Sequence, residues 1–213
     1  TSQLVYEAVV SAIVAQGLPK ELFAIVQGTN PEITHWLAKA PEVTAIGFTG
    51  SGLVGKLLLK LSQEREVPIP VYAEMGSLNP VFFTPGALKA NAEALAKAAI
   101  DSATLGSGQF CTKPGILVIP NGAEGDDFLA HVESYLGTLA VAPLLNKGIA
   151  DRYSSATAKL AIDSKLKVFK GKETEGGFGV EPTVFVVDWE VAKSNHEFIE
   201  EHFGPTSVII RTD

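Results

Sequence analysis

Apolar residues open the chain at helical spacing, with Leu4, Val5, Ala8, Val9, Ala12 and Ile13 on one stripe. Thr1-Ser2 reads as the N-cap of that helix, and Gly17-Leu18-Pro19 stops it. Residues 22–26 form a short apolar run that predicts a strand. Asn30 opens a second helix over 31–40, with Pro31 in the first turn, where its missing N–H costs nothing. A buried-type strand at 43–48 turns through Thr49-Gly50-Ser51-Gly52 into a helix over 53–64, and 68–73 is the next strand. The same alternation continues with a strand at 81–83, an Ala-rich helix at 88–105, a strand at 116–120, and helices at 126–136 and 149–164. A short strand is expected at 168–171, and one of strong β propensity at 182–187. A short acidic segment at 197–202 and a turn at Gly204-Pro205 lead into a last strand at 207–210. Strand and helix in alternation predict an α/β fold with a parallel sheet and right-handed crossovers. The expected domain junction is Ala73-Glu74, where a strand runs into a Gly/Ser/Asn/Pro segment.

Composition narrows the function classes. The chain has 213 residues, 46% apolar and 19% charged, and so has material for one large or two small globular domains. A net charge of −7 without a basic stripe argues against a nucleic-acid surface. No apolar run approaches the length of a membrane span, and no signal peptide is visible at the start. The single cysteine cannot form an internal disulfide, which points to a reducing, cytoplasmic home. The first helix begins at once, and the last strand is still running at Asp213, so both ends read as truncated.

That cysteine is the leading chemical candidate. Cys111 lies in Gly108-Gln109-Phe110-Cys111-Thr112-Lys113-Pro114-Gly115, a polar, glycine-flanked run between a helix and a strand. Glycines let the backbone approach a ligand and present its N–H groups. Lys113 is placed in sequence to favour a thiolate. The residues alone leave open a nucleophile, which needs a base elsewhere in the chain, or an inert thiol. Gly50-Ser51-Gly52-Leu53-Val54-Gly55 fits G-x-G-x-x-G between a strand and a helix, with Glu74 as an acid of suitable spacing. Leu57 stands where a phosphate-binding NTPase loop needs Ser or Thr for magnesium, which disfavours that reading. A plain glycine turn remains open, as does a structural role for the Glu74 carboxylate. His196 and His202 are six apart, which does not suit zinc on one helix face, so the acidic turn reads as solvated and no metal is expected. Trp36 and Trp189 read as packing residues.

Taken together, the motifs resemble one family. Phe48-Thr49-Gly50-Ser51 with Gly55, Glu74-Met75-Gly76, Gly108-Gln109-Phe110-Cys111 and Glu200-Glu201-His202-Phe203-Gly204-Pro205 stand in the order and rough spacing of the aldehyde dehydrogenase superfamily. Gly179-Val180-Glu181-Pro182-Thr183-Val184 is similar to the segment that precedes the last of these. The resemblance implies an aldehyde dehydrogenase-like α/β fold of parallel-sheet, Rossmann-like layers, truncated at both ends. Residues 1–73 would be the C-terminal half of a dinucleotide-binding domain, and 74–213 an incomplete catalytic domain. It implies Cys111 as the nucleophile, forming a thiohemiacetal and then a thioester, and Glu74 as the base that activates water. The backbone N–H of Cys111 would share an oxyanion hole with an asparagine upstream of Thr1. Gly50 and Ser51 would lie against the pyrophosphate of NAD or NADP, Glu201 would hold the nicotinamide ribose, and Phe203 would lie beside it. Glu-Met-Gly-Ser-Leu-Asn-Pro at 74–80 and the cysteine segment are most similar to the α-ketoglutaric semialdehyde (2,5-dioxovalerate) dehydrogenases, which yield 2-oxoglutarate. NADP-dependent fatty aldehyde dehydrogenases of luminous bacteria are similar there too. The resemblance further implies a homo-oligomeric full-length enzyme, an isolated chain without activity, and convergence of Cys111 and Glu74 on one cleft. The rival is a non-catalytic relative with a redox-sensitive thiol; retention of Glu74 and Glu201 beside Cys111 weighs against it.

Overall fold

The computed structural model describes residues 2–28, 30–162 and 166–213. They fall into two compact units, Thr1–Met75 and Gly76–Asp213. The N-cap expected at Thr1 and the end of the helix expected at Ser164 lie outside the described residues.

The first unit contains helices α1 (Ser2–Ala15), α2 (Glu32–Lys39) and α3 (Gly52–Gln63), with strands β1 (Ile46–Gly50) and β2 (Val71–Met75). The two strands pair in parallel from Ile46↔Val71 to Gly50↔Met75. Asn30 opens α2 as expected, its Oδ1 accepting from Glu32 N at 2.9 Å. Two chain segments depart from the expectation. Residues 22–26 form no strand, because no ladder partner reaches them among the described residues; Leu22 and Val26 are exposed. The first strand begins at Ile46 rather than 43 because the Val43 carbonyl is taken by Arg65 Nη2 at 2.9 Å. The same guanidinium donates through Nη1 to the carbonyls of Ala38 and Ala40, which terminate α2. Ala38, Leu58 and Leu61 form the small core beneath. Trp36 is 65% exposed and Trp189 46% exposed, so neither is a packing residue: each sits on the solvent side of a helix whose buried member is an alanine.

The second unit is built on a five-stranded sheet in the order β3 (Pro80–Phe82), β4 (Ile116–Pro120), β7 (Thr206–Thr212), β6 (Thr183–Asp188) and β5 (Lys167–Lys170). All neighbours run parallel except β5, which pairs antiparallel with β6 at the edge. The uniformly parallel sheet expected from the alternation is therefore corrected at β5, which reaches β6 through the Gly176–Gly179 loop and needs no crossover helix. Helices α4 (Pro85–Thr104) and α5 (Ala123–Leu136) cover one face through Leu88, Ile100, Phe128, Val132 and Leu136 against Leu117, Ile119, Val186 and Ile209. On the other face, Leu160 of α6 (Lys147–Ala161), Ala192 of α7 (Trp189–Ala192) and Phe198 pack on Phe185, Val187, Val208 and Ile210. Alternate residues of β7 feed the two cores, Ile209 one and Val208 and Ile210 the other, so the middle of this central strand is apolar on both faces. Helix α4 starts three residues earlier than its apolar stripe, at Pro85, because Thr84 Oγ1 accepts from Ala87 N and proline suits the first turn.

This topology positions the candidate chemistry of the second unit. The last strand, β7, inserts between β4 and β6, so three segments enter neighbouring parallel strands at one end of the sheet. They are 76–79 before β3, 108–115 before β4 and 200–205 before β7.

Candidate functional site

Cys111 is the second residue of a tight turn closed by Lys113 N donating to Phe110 O at 3.1 Å. In a trans peptide, C=O and N–H point in opposite directions, so pinning the Phe110 carbonyl inward turns the Cys111 N–H outward. Among the described residues that N–H donates to no acceptor, and the thiol beside it is exposed. An exposed sulfur with a free N–H on the same residue can attack a carbonyl carbon and hold the resulting oxyanion.

The approach to the turn is unusually bent. Gly106, Ser107 and Gly108 all have positive φ, at 56°, 59° and 68°. Ser107, a costly residue for that conformation, is held by its Oγ donating to Ala142 O at 2.8 Å. Gln109 ties the segment to 144–145, its Oε1 accepting from Leu145 N at 2.9 Å. A Cβ on Gly108 would lie 2.1 Å from Gly204 O and 2.5 Å from Pro205 N. Gly108→Ala is therefore expected to cost about 2–4 kcal/mol, combining left-handed strain with displaced backbone. A denaturant midpoint unchanged within error would contradict this close approach.

Lys113 does not serve the thiol as its sequence position suggested. Its side chain is buried, and its Nζ donates to the Thr206 carbonyl at the start of β7. Ser207 Oγ donates to Pro114 O at 2.6 Å and Val208 N to Gly115 O at 2.9 Å, so the two strand-leading segments are stitched together. Burial pushes the Lys113 ammonium down to about 8, with the Glu201 carboxylate acting in the opposite sense. The unfolded chain, whose lysine titrates near 10.5, then binds more protons than the folded one between about pH 8 and 10.5. Burial of the charge weakens the fold fully below about pH 8, and stability rises with pH across that window. The rise attributable to Lys113 is on the order of 3 kcal/mol. Lys113→Met should lack it, as urea unfolding at the two ends of the window would measure; equal slopes in both proteins would contradict it.

Glu201 and Phe203 lie on the segment before β7, and both are exposed. His202 between them is turned inward, with Nε2 2.9 Å from Glu197 O. Burial lowers its pKa below the ordinary histidine value, and the Lys113 charge adds to that. Gly204 (φ 141°) lies against the ring of Tyr153, where a Cβ would come within 2.3 Å of Cδ2. The Tyr153 hydroxyl reaches Glu181 O at 2.7 Å and Pro205 O at 3.2 Å, and burial raises its pKa. For Tyr153 and for Asn79, whose side chain contacts the cysteine turn, the sequence pattern carries no signal of the contacts they make. Each acts on backbone groups more than 25 residues away.

In the first unit, Gly50 ends β1 and Ser51 caps α3, its Oγ accepting from Val54 N. Gly55 is buried, and a Cβ there would strike Met75 Sδ at 2.3 Å. Space is open where Gly52 would carry a Cβ, and among the described residues the N–H groups of Gly52 and Leu53 donate to no acceptor. An open glycine at the start of a helix with free N–H groups suits a phosphate. The third glycine serves helix–strand packing. Glu74 pairs with Thr49 across the β1–β2 ladder, at the end of the ribbon that carries the glycine loop. It is exposed, and among the described residues its carboxylate accepts no hydrogen bond, unlike a structural carboxylate.

The chain belongs to the aldehyde dehydrogenase family: residues 1–213 all match the family described as "Aldehyde dehydrogenase family". Among curated relatives, it is 36% identical over 212 residues to "Alpha-ketoglutaric semialdehyde dehydrogenase 2" of Azospirillum brasilense, covering 99% of this chain and 40% of that protein. It is 34% identical over 215 residues to "Alpha-ketoglutaric semialdehyde dehydrogenase" of Acinetobacter baylyi, covering 100% of this chain and again 40% of the relative. The chain thus spans about two fifths of the length of these relatives. Among solved structures, proline utilization A from Bdellovibrio bacteriovorus superposes with a TM-score of 0.82 at 24% identity, over 99% of this chain and 23% of that one. A Thermus 1-pyrroline-5-carboxylate dehydrogenase with bound NAD gives 0.72 at 24% identity, over 85% of this chain and 36% of that one. At this identity the superpositions show the fold.

Proposed function

We propose that the full-length protein oxidises an aldehyde to its carboxylic acid, using NAD or NADP, with Cys111 as nucleophile and Glu74 as general base. The observation that carries this reading is the Cys111 turn, which presents an exposed thiol and an unpaired N–H from one residue. Cys111 Sγ, as thiolate, bonds to the aldehyde carbon, and the carbonyl oxygen takes the electron pair and faces the Cys111 N–H. The nicotinamide, when bound, supplies the acceptor for the hydride that leaves this carbon. Gly50, Ser51 and the free N–H groups at the start of α3 would hold its pyrophosphate, and Glu201 a ribose, with Phe203 alongside. Glu74 then takes a proton from water, and the hydroxide adds to the thioester carbon. The C–S bond breaks, the thiolate returns to Cys111, and the carboxylate leaves.

The names of these two curated relatives support 2,5-dioxovalerate as substrate and 2-oxoglutarate as product. No helix among the described residues is long and apolar enough to cross a membrane. A homo-oligomer in the cytoplasm remains the proposed setting. The test is to supply full-length protein with 2,5-dioxovalerate or a long-chain aldehyde, and with each cofactor. One carboxylate should form per reduced cofactor, and kcat/KM should favour 2,5-dioxovalerate by about tenfold or more. Preference for the long-chain aldehyde would move the substrate assignment to the fatty aldehyde group. No cofactor reduction with either would overturn the dehydrogenase reading.

A further inference from the structure

Asn79 stands immediately before β3 with φ 47°, in the left-handed region that few residues other than glycine and asparagine enter. Its Nδ2 donates to Cys111 O at 2.7 Å and to Lys113 O at 3.0 Å, with Ser77 Oγ at 2.9 Å as a third acceptor in reach. Two carbonyl acceptors on one amide nitrogen also fix which end of the side chain faces the turn. The backbone nearby is tied in the same direction, Gly115 N donating to Leu78 O at 2.7 Å.

Consider the two peptide planes that flank the Cys111 Cα. The plane before it is fixed because the Phe110 carbonyl accepts from Lys113 N. The plane after it carries the Cys111 carbonyl, for which Asn79 is the donor. With both planes held, the Cys111 Cα is fixed against the segment before β3, and the thiol and the Cys111 N–H are placed with it. With Asn79 removed, the Cys111 and Lys113 carbonyls lose their anchor, and the turn can shift as a unit, carrying Sγ and N–H away from a bound carbonyl group. From this geometry we propose that Asn79 is a positioning residue for the nucleophile, clamping the Cys111 turn so that Sγ and N–H address one carbonyl group. The proposal rests on the reading of Cys111 as nucleophile. It assigns Asn79 no contact with the substrate.

The test uses the full-length protein and four variants: Asn79→Gly, Asn79→Asp, Asn79→Ala and Cys111→Ala. Glycine accepts the positive φ without strain but lacks the donor, so it separates the clamp from the backbone conformation. Asn79→Gly should fold like the parent, with Tm within about 3 °C. Its pre-steady-state rate of cofactor reduction should nevertheless fall about 10²-fold, the scale expected from misplacing a reacting group. KM for the cofactor should stay unchanged, and alkylation of Cys111 by iodoacetamide should stay within about threefold, because an exposed thiol needs no oxyanion donor for that reaction. Asn79→Asp keeps the shape but turns a carboxylate oxygen towards two carbonyls, and should lose at least as much rate as glycine. Asn79→Ala adds the left-handed strain and should lose stability as well. A reduction rate within twofold of the parent in Asn79→Gly, with Cys111→Ala inactive, would overturn the clamp and leave the nucleophile intact. An active Cys111→Ala would overturn the nucleophile, and the clamp with it. An alkylation rate that falls in parallel with the reduction rate would show general loss of the turn and overturn the positioning role.

Discussion

Alanine in place of Cys111 should remove aldehyde oxidation by the full-length protein, with kcat falling by about 10⁴–10⁶. The size follows from the chemistry, since no covalent adduct can form and a hydride has no tetrahedral alkoxide carbon from which to depart. The thiol is exposed and makes no packing contribution comparable to a core residue, so the variant should fold as the parent does. Cofactor affinity should be retained, because the proposed cofactor contacts are made by Gly50, Ser51, Glu201 and Phe203. A protein that is folded, binds cofactor and fails to reduce it is the expected result. Residual turnover above about one per cent would mean that another group attacks the aldehyde.

Replacing Glu74 with glutamine should split the reaction in two. A glutamine side chain keeps the size of the carboxylate but cannot take a proton from water. Formation of the thioester, which needs Cys111 and the hydride acceptor, should proceed with a burst of reduced cofactor close to one per site. Steady-state turnover should then fall by about 10²–10⁴, the range that a positioned general base contributes. The exposed position of Glu74 at the end of β2 means that glutamine should cost little stability. Equal loss of burst and turnover would place Glu74 before hydride departure and end its assignment as hydrolytic base.

Residues that carry a local signal were legible in the sequence, and residues that act across the fold were not. The β4 strand was placed to the residue, because an apolar run bounded by Pro114-Gly115 and Asn121-Gly122 leaves little freedom. The positions of Cys111 and of the Glu201–Phe203 segment before neighbouring strands follow from motifs at strand starts. The start of α4 was legible in principle, since Thr84-Pro85 is a capping signal that an apolar-stripe reading passes over. The 22–26 run failed as a strand because β propensity without a hydrogen-bonding neighbour does not make one. Lys113 was misassigned because closeness in sequence says nothing of where a long side chain turns, and its ammonium bonds a carbonyl 93 residues away. Asn79 and Tyr153 hold backbone carbonyls 28 to 52 residues distant, and such clamps leave no periodicity to find. Asn79 lies inside the motif at 74–80, yet nothing in that motif shows that its amide holds the cysteine turn.

The central claim is that the aldehyde becomes a thioester on Cys111, and it can be read as a mass. Full-length Glu74→Gln is mixed with aldehyde and oxidised cofactor, quenched in acid within the burst, digested and analysed by mass spectrometry. The account predicts that the peptide carrying Cys111 gains the mass of the aldehyde less two hydrogens, in near-stoichiometric yield, and only when cofactor is present. An unmodified Cys111 peptide after a full burst, or the same mass gain on a different residue, would contradict it.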